Sequence, residues 1–215
     1  MKTPRWLGAL ALILCSGCGN TTFTGDPPEN LEIQARFVDT EMPSDGKIAV
    51  TVQFFQKGKF VDLTSGATIR CNGTELGHTQ LGYLGRVTAA AGGTYEVAHE
   101  LDGERTVLKA TAPARPVITS PAANAQLSRT AEQVIQFTAD GGGTVRAKAV
   151  GPSGSVMGEP TQASSGTTKV LASTVGAGNG SIVLTREIEV GVDGTGFAAA
   201  SYLYSIDKLL PVVWQ

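Results

Sequence analysis

The chain has 215 residues, 17 basic and 19 acidic, for a formal charge of −2, and 41% of it is hydrophobic. That much apolar material sets aside a disordered chain, and the absence of any basic block or basic–aromatic run sets aside nucleic acid and a charged membrane-binding face. Glycine is abundant at 27 residues and charged residues are scarce at 17%, which with many short β-branched runs favours strands and turns over helices.

The first segment reads as an export signal. Lys2 and Arg5 make a short basic start, Trp6 to Leu14 is apolar throughout, and Ser16-Gly17 places small residues just before Cys18. These are the parts of a secretory signal, and the apolar run is too short to span a bilayer as a mature helix. Cys15-Ser16-Gly17-Cys18 resembles the lipobox of bacterial lipoproteins, although Cys15 stands where that family usually has leucine. The resemblance implies that residues 1–17 are removed and that Cys18 carries a thioether-linked diacylglycerol and an amide-linked acyl chain such as palmitate. At roughly 0.8 kcal/mol per buried methylene, several chains hold a soluble domain at a membrane where one chain does not. In that family an aspartate after the cysteine retains the protein at the inner membrane; Gly19 implies the outer membrane where one exists, with the domain facing the periplasm or the surface. The alternative is an ordinary signal cut after Gly17 or Gly19, which leaves a freely secreted protein.

Residues 18–30 are expected to hold the lipidated cysteine and a flexible tether. Gly19 to Asn30 reads GNTTFTGDPPEN, without periodicity and with Pro27-Pro28, and reaches a few tens of ångströms at about 3.3 Å per residue. A first domain is expected over 31–113. Leu31, Ile33, Ala35 and Phe37 alternate with polar residues, as do Ile48, Val50, Val52 and Phe54, and each set describes a half-buried strand. Lys57-Gly58 and Asn72-Gly73 are hairpin signals, and short strands follow at Phe60 to Leu63, Thr68 to Asn72, Val87 to Ala89, Tyr95 to Val97 and Thr106 to Ala110. About seven short strands with regular turns is the sandwich pattern. Gly93-Thr94-Tyr95-Glu96-Val97 resembles the start of the sixth strand of an immunoglobulin-like domain, with Val97 in place of the core cysteine. It therefore resembles the disulfide-free Ig-like and fibronectin-III-like sandwiches of bacterial exported proteins, and the resemblance implies that Tyr95 pins a loop through its hydroxyl.

Ala112 to Pro121 reads APARPVITSP, and this proline density suits an inter-domain connection followed by an edge strand. Its Pro-Val-Ile-Thr-Ser-Pro run resembles the opening of bacterial Ig-like repeats. A second domain is expected over 114–215, so that the whole is all-β, two tandem Ig-like antiparallel β-sandwiches. Its strands are signalled at Ile135 to Phe137, Val145 to Ala149, Leu171 to Val175, Ile182 to Val192, Phe197 to Ile206 and Leu209 to Trp214, and Gly151 to Gly166 is loop-rich. Ile182, Leu184, Ile188, Val190 and Val192 share one face, which Arg186 interrupts; a bulge, an edge position or a snorkelling side chain is expected there, not a buried charge.

No catalytic, metal or cofactor site is expected. His78 and His99 are the two histidines, no Cys-x-x-Cys or His-x-x-x-His occurs, and nucleophile-elbow, phosphate-loop and dinucleotide motifs are missing from the chain. His99 continues the Tyr95/Val97 face and reads as a core or edge histidine. Asp39, Glu41 and Asp45 crowd one loop but lack the ligand order of a calcium loop, and a solvated acidic turn is the expectation. With Cys15 removed and Cys18 acylated, Cys71 is a reactive thiol, an intermolecular link or a core residue; its sharing a strand face with Ile69 favours the core.

The sequence thus describes a non-enzymatic protein held at the membrane by lipid on Cys18, presenting Ig-like domains for contact with an envelope protein or glycan or for envelope assembly. The ligand-binding residues are unknown, with the Gly73 to Gly82 and Gly151 to Gly166 loops as candidate contact surfaces. The alternative is a carbohydrate-binding or accessory module of an extracellular hydrolase system, which an exposed aromatic row would support.

Overall fold

The computed structural model describes residues 21–22, 28–41, 45–63, 66–88 and 93–215; the signal, Cys15 and the acylation candidate Cys18 lie outside them. No α-helix occurs among the described residues, and the chain is all-β. The strands in the first half are β1 (Thr21–Thr22), β2 (Glu32–Asp39), β3 (Lys47–Gln56), β4 (Lys59–Asp62), β5 (Thr68–Cys71), β6 (Thr74–Glu75), β7 (Gly77–Thr79), β8 (Gly82–Thr88), β9 (Thr94–Leu101) and β10 (Glu104–Thr111). The second half adds β11 (Val117–Ser120), β12 (Gln126–Leu127), β13 (Glu132–Thr138), β14 (Thr144–Gly151), β15 (Gly154–Met157), β16 (Thr161–Gln162), β17 (Thr167–Leu171), β18 (Gly178–Val190) and β19 (Ala199–Trp214).

Local chemistry sets the hairpins. Lys57-Gly58, Asn72-Gly73 and Asp102-Gly103 each place two successive residues at positive φ, between 46° and 85°, between strands separated by two residues. This is the twist-matched turn that glycine-containing pairs supply, and Asp102-Gly103 is one the sequence reading passed over. Alternation sets the faces. On β2 and β3, Ile33, Ala35, Phe37, Ile48, Val50, Val52 and Phe54 are all buried, with the intervening residues turned outward.

One twelve-stranded sheet runs the length of the molecule in the order β1-β4-β3-β2-β19-β18-β14-β15, and sheets β10-β9-β5-β6 and β11-β13-β17 cover its two ends. Two cores result. The first gathers Leu31 to Ala112 together with Tyr202, Tyr204 and Ile206, while Ile188, Val190, Val192 and Phe197 pack against it. The second gathers Ile135 to Leu184 together with Leu210, Val212 and Trp214. The β18–β19 hairpin therefore belongs to both sandwiches. The division expected at 113/114 differs from this arrangement, because residues 188–206 complete the first core from the far end of the chain. They do so through β2, which pairs in parallel with β19 from Ala199↔Glu32 to Ile206↔Asp39.

The connection between β18 and β19 also crosses to the opposing sheet. The Asp193 and Lys109 main chains exchange two hydrogen bonds of 2.7 and 2.8 Å, and Phe197 lies against Phe54 and His99 with ring centroids at 6.1 and 5.9 Å. Gly194, at φ +138°, passes so close to the Val107 carbonyl that a Cβ there would sit 2.5 Å from it. Only glycine fits that crossing. At the other end of the chain the expected free tether is anchored in part: Thr21 and Thr22 pair in parallel with Val61 and Asp62, and Pro28–Asn30 forms a 3-10 turn leading into β2.

Candidate functional site

The most elaborate polar arrangement lies where the shared hairpin passes from one core to the other. On β18 the inward face reads Ile182, Leu184, Arg186, Ile188, Val190, and on β19 it reads Tyr202, Tyr204, Ile206, Lys208, Leu210, Val212, Trp214. Each apolar stripe is broken once, by a cation, at the junction. Arg186 is fully buried, contrary to the expected bulge, edge or snorkelling position. Its guanidinium donates to main-chain carbonyls: Nη1 to Ala114 at 3.2 Å, Nε and Nη2 to Gly142 at 3.3 and 2.9 Å, and Nη2 to Asp140. Five donors in a rigid fork suit such a carbonyl cage, which ties the inter-sandwich connection and the β13–β14 turn to the hairpin. Burial lowers the Arg186 pKa, with the nearby Asp140 charge acting the other way.

Around this cage Arg115 is paired with Asp39 and Lys208 with Glu41. Arg115 donates to the Asp207 carbonyl and to Asp39 Oδ1 at 2.7 Å, and Thr185 donates to Asp207 Oδ1 at 2.7 Å. Burial, assisted by Asp39, raises the Asp207 carboxyl above its ordinary value despite the Thr185 hydrogen bond and Arg115. Glu41 accepts from Lys208 Nζ at 2.7 Å and from the Leu209 amide. Burial pushes its carboxyl up, but those hydrogen bonds outweigh it and hold the group below its usual value. The expected solvated acidic turn is thus divided. Asp39 and Glu41 lock the junction, while Asp45 pairs with Arg86 at 2.7 Å and accepts the Lys47 amide. Among the described residues no three His, Cys, Asp or Glu side chains converge as metal ligands would.

The other singled-out residues fall apart spatially. Cys71 is fully buried in the first core, where burial and then the Glu96 charge push its thiol to about 12, so it is a core residue and not a reactive one. Tyr95 is buried in an aromatic group with Phe37 and Tyr204, at centroid distances of 5.0 and 6.0 Å. Two other tyrosines bind main chain through their hydroxyls: Tyr202 donates to the Leu108 carbonyl at 3.1 Å and Tyr83 to that of Leu63 at 2.7 Å. His99 is buried between the Phe54 and Phe197 rings with no hydrogen-bond partner at Nε2, and burial lowers its pKa. His78 lies elsewhere, 2.6 Å from Asp62 at the partly exposed β4–β7 side.

Of the two candidate contact loops, 73–82 is largely the β6 and β7 hairpins, with Leu81 73% exposed at its tip. The 151–166 stretch forms β15, β16 and a 3-10 turn, and with β17 it bounds a groove of about 580 Å³ lined by Val156, Met157, Glu159, Thr168, Lys169 and Leu171 among others. Exposed large hydrophobics among the described residues are aliphatic: Leu81, Leu84, Val117, Val134, Met157 and Leu171. Phe37, Phe54, Tyr83, Tyr95, Tyr202, Tyr204 and Trp214 are buried.

No protein-family model matches the chain, and no curated protein does. Among solved structures it is similar to the fibronectin(III)-like modules of Clostridium thermocellum CbhA, at 16% identity over 84% of this chain and 88% of that one, with a TM-score of 0.29. It is also similar to a chimeric titin Z1Z2 tandem (11% identity, 88% and 98% coverage, TM-score 0.26) and to domains 4 and 5 of the S-layer protein SbsC (16%, 78% and 82%, TM-score 0.22). At such identities and scores these likenesses carry nothing about activity or partners.

Proposed function

We propose that the protein is a non-enzymatic, lipid-anchored component of a bacterial cell envelope, acylated at Cys18, whose fused sandwiches form a stiff spacer presenting contact surfaces to an envelope protein. The observation that carries this reading is the shared β18–β19 hairpin. Thirteen and sixteen residues of continuous strand cross from one core to the other, and Arg186, Arg115, Glu41 and Lys208 brace the crossing. Joined in this way, the two halves lack the independent mobility of domains on a flexible linker. Such a body transmits position more than chemistry: its buried titratable groups are spent on packing and on ion pairs. The exposed aliphatic residues suit protein contact better than a glycan platform, which needs exposed aromatic faces. In this reading the anchor supplies the address; no helix among the described residues is long and apolar enough to cross a membrane.

Fatty-acid labelling and intact-mass spectrometry of the wild-type chain and Cys18→Ser test the reading. The expected result is acylation and membrane fractionation of the wild type, both lost in the variant. A mature wild-type protein without fatty acid refutes the anchor. Crosslinking on intact cells should then yield a fixed protein neighbour, whereas turnover of ester, peptide or glycoside substrates by the purified chain refutes the non-enzymatic role.

A further inference from the structure

We infer that the acylated protein stands end-on on the bilayer, with the β3–β4 hairpin tip as its lipid-facing contact and the second sandwich outermost; this rests on the reading of Cys18 as the anchor. Thr21 and Thr22 pair in parallel with Val61 and Asp62, which fixes where the chain enters the sheet. Three peptide units, at most about 11 Å of chain, join Cys18 to Thr21.

The register then says which end of the molecule that is. Phe60 is opposite Phe55, Phe55 opposite Glu32, and Glu32 opposite Ala199, so the β3–β4 turn lies at the start of β19. Ile206 and Asp39, opposite each other, mark the junction, and Trp214, opposite Gly178, marks the far end of the second sandwich. Fifteen steps of β19 separate the two ends, about 50 Å at 3.3 Å per residue. A reach of about 11 Å cannot bring a lipid from the first end to the second. Because β1 is parallel to β4, it runs inward from the β3–β4 turn, and Thr21 is its tip-side end.

The tip is built to meet headgroups. Lys57 and Lys59 are exposed there, neither is in an ion pair among the described residues, and the Lys57-Gly58 turn and the Phe55–Phe60 ring contact at 6.0 Å hold them in place. Two cations next to an acyl anchor gain from lipid phosphates at short range. Asp102 and Glu104, at the β9–β10 turn, belong to the opposing sheet, while Glu29 and Glu32 lie at the start of β2 on the tip's own sheet, so the orientation rests on the point of chain entry and the two lysines add to it.

Lysine acetylation read by mass spectrometry tests this. The acylated protein, reconstituted into phosphatidylglycerol/phosphatidylethanolamine vesicles, is compared with the Cys18→Ser chain in solution. Lys57 and Lys59 should react severalfold more slowly on vesicles, while Lys169, 62% exposed on β17 of the second sandwich, keeps its rate. Slowing of Lys169 with Lys57 and Lys59 unprotected, or equal slowing of all three, overturns the end-on orientation. If the wild-type chain carries no acyl group and does not float with vesicles, the anchor reading fails and takes the orientation with it; if it floats with Lys57 and Lys59 fully reactive, the orientation fails by itself.

Discussion

Two buried side chains set the energetics most sharply. Arg186 has traded water for three carbonyl-bearing residues, Ala114, Asp140 and Gly142. Arg186→Met keeps much of the packing volume but leaves those carbonyls without their donor, and Arg186→Ala adds a cavity. We expect losses of about 2 kcal/mol for Met and at least about 3 kcal/mol for Ala, read from urea unfolding midpoints. A wild-type midpoint for Arg186→Met would show that the carbonyls do not need the guanidinium. His99 gives a pH signature. Its folded pKa lies below the ordinary value of 6.5 because burial between Phe54 and Phe197 penalises the charged form. The unfolded chain therefore takes up the proton first. Stability from this group is complete above about pH 6.5 and falls as the pH drops below it, by up to about 1.4 kcal/mol per pH unit. Between pH 7.5 and 5.5, His99→Phe should lose less stability than the wild type; equal losses would mean that His99 is solvated.

At the scale of elements, the long hairpin decides what can fold by itself. Residues 18–113 contain every strand of the first sandwich except the ends of β18 and β19, yet that omission uncovers Phe37, Ala35 and Ile33 along the whole edge of β2. We expect the 18–113 fragment to show no cooperative transition by circular dichroism, and a sharp one would mean that the hairpin is dispensable. Most strands were legible, but the one expected at Leu171 to Val175 was not: β17 runs Thr167–Leu171, and Ala172 to Val175 form a turn in which the Val175 amide donates to the Ala172 carbonyl at 3.1 Å. Alternation at Leu31 to Phe37 and Ile48 to Phe54, and the Lys57-Gly58 and Asn72-Gly73 turns, report local faces and local hairpins, and these stand as read. Partnership was not legible, because a period of two says which side of a strand is buried and nothing of which core it meets. Ile182 to Val192 looks like one stripe although it serves two cores. The available signal was the pair of cations: Arg186, opposite Ile206, interrupts one stripe and Lys208, opposite Leu184, the other, and diagonal charges on both strands of a hairpin mark a change of core. Read alone as an irregularity, Arg186 points nowhere. The parallel pairing of Thr21–Thr22 with β4 had no signal in its flanking prolines and threonines.

For the whole molecule, the question is whether two sandwiches that share two strands melt as one. Loss of the second core frees β19 beyond Asp207 and β18 before Thr185, and it removes the carbonyls of Asp140 and Gly142 that hold Arg186. The first core then keeps its portion of the hairpin without the braces that fix it, so the free energy of the second sandwich should be felt in the first. Cys71 reports this directly, since its thiol is fully buried in the first core and reacts only when that core opens. Ile135 lies in the second core on β13, away from the shared strands. Ile135→Ala should destabilise by about 2–4 kcal/mol. If the molecule opens as one unit under conditions where reclosing outruns labelling, Cys71 modification by a maleimide should accelerate by the same free energy, about 30- to 800-fold. Cys71 kinetics unchanged by Ile135→Ala would mean that the sandwiches open independently, and a spacer hinged in that way could not hold its outer end at a fixed height above a membrane.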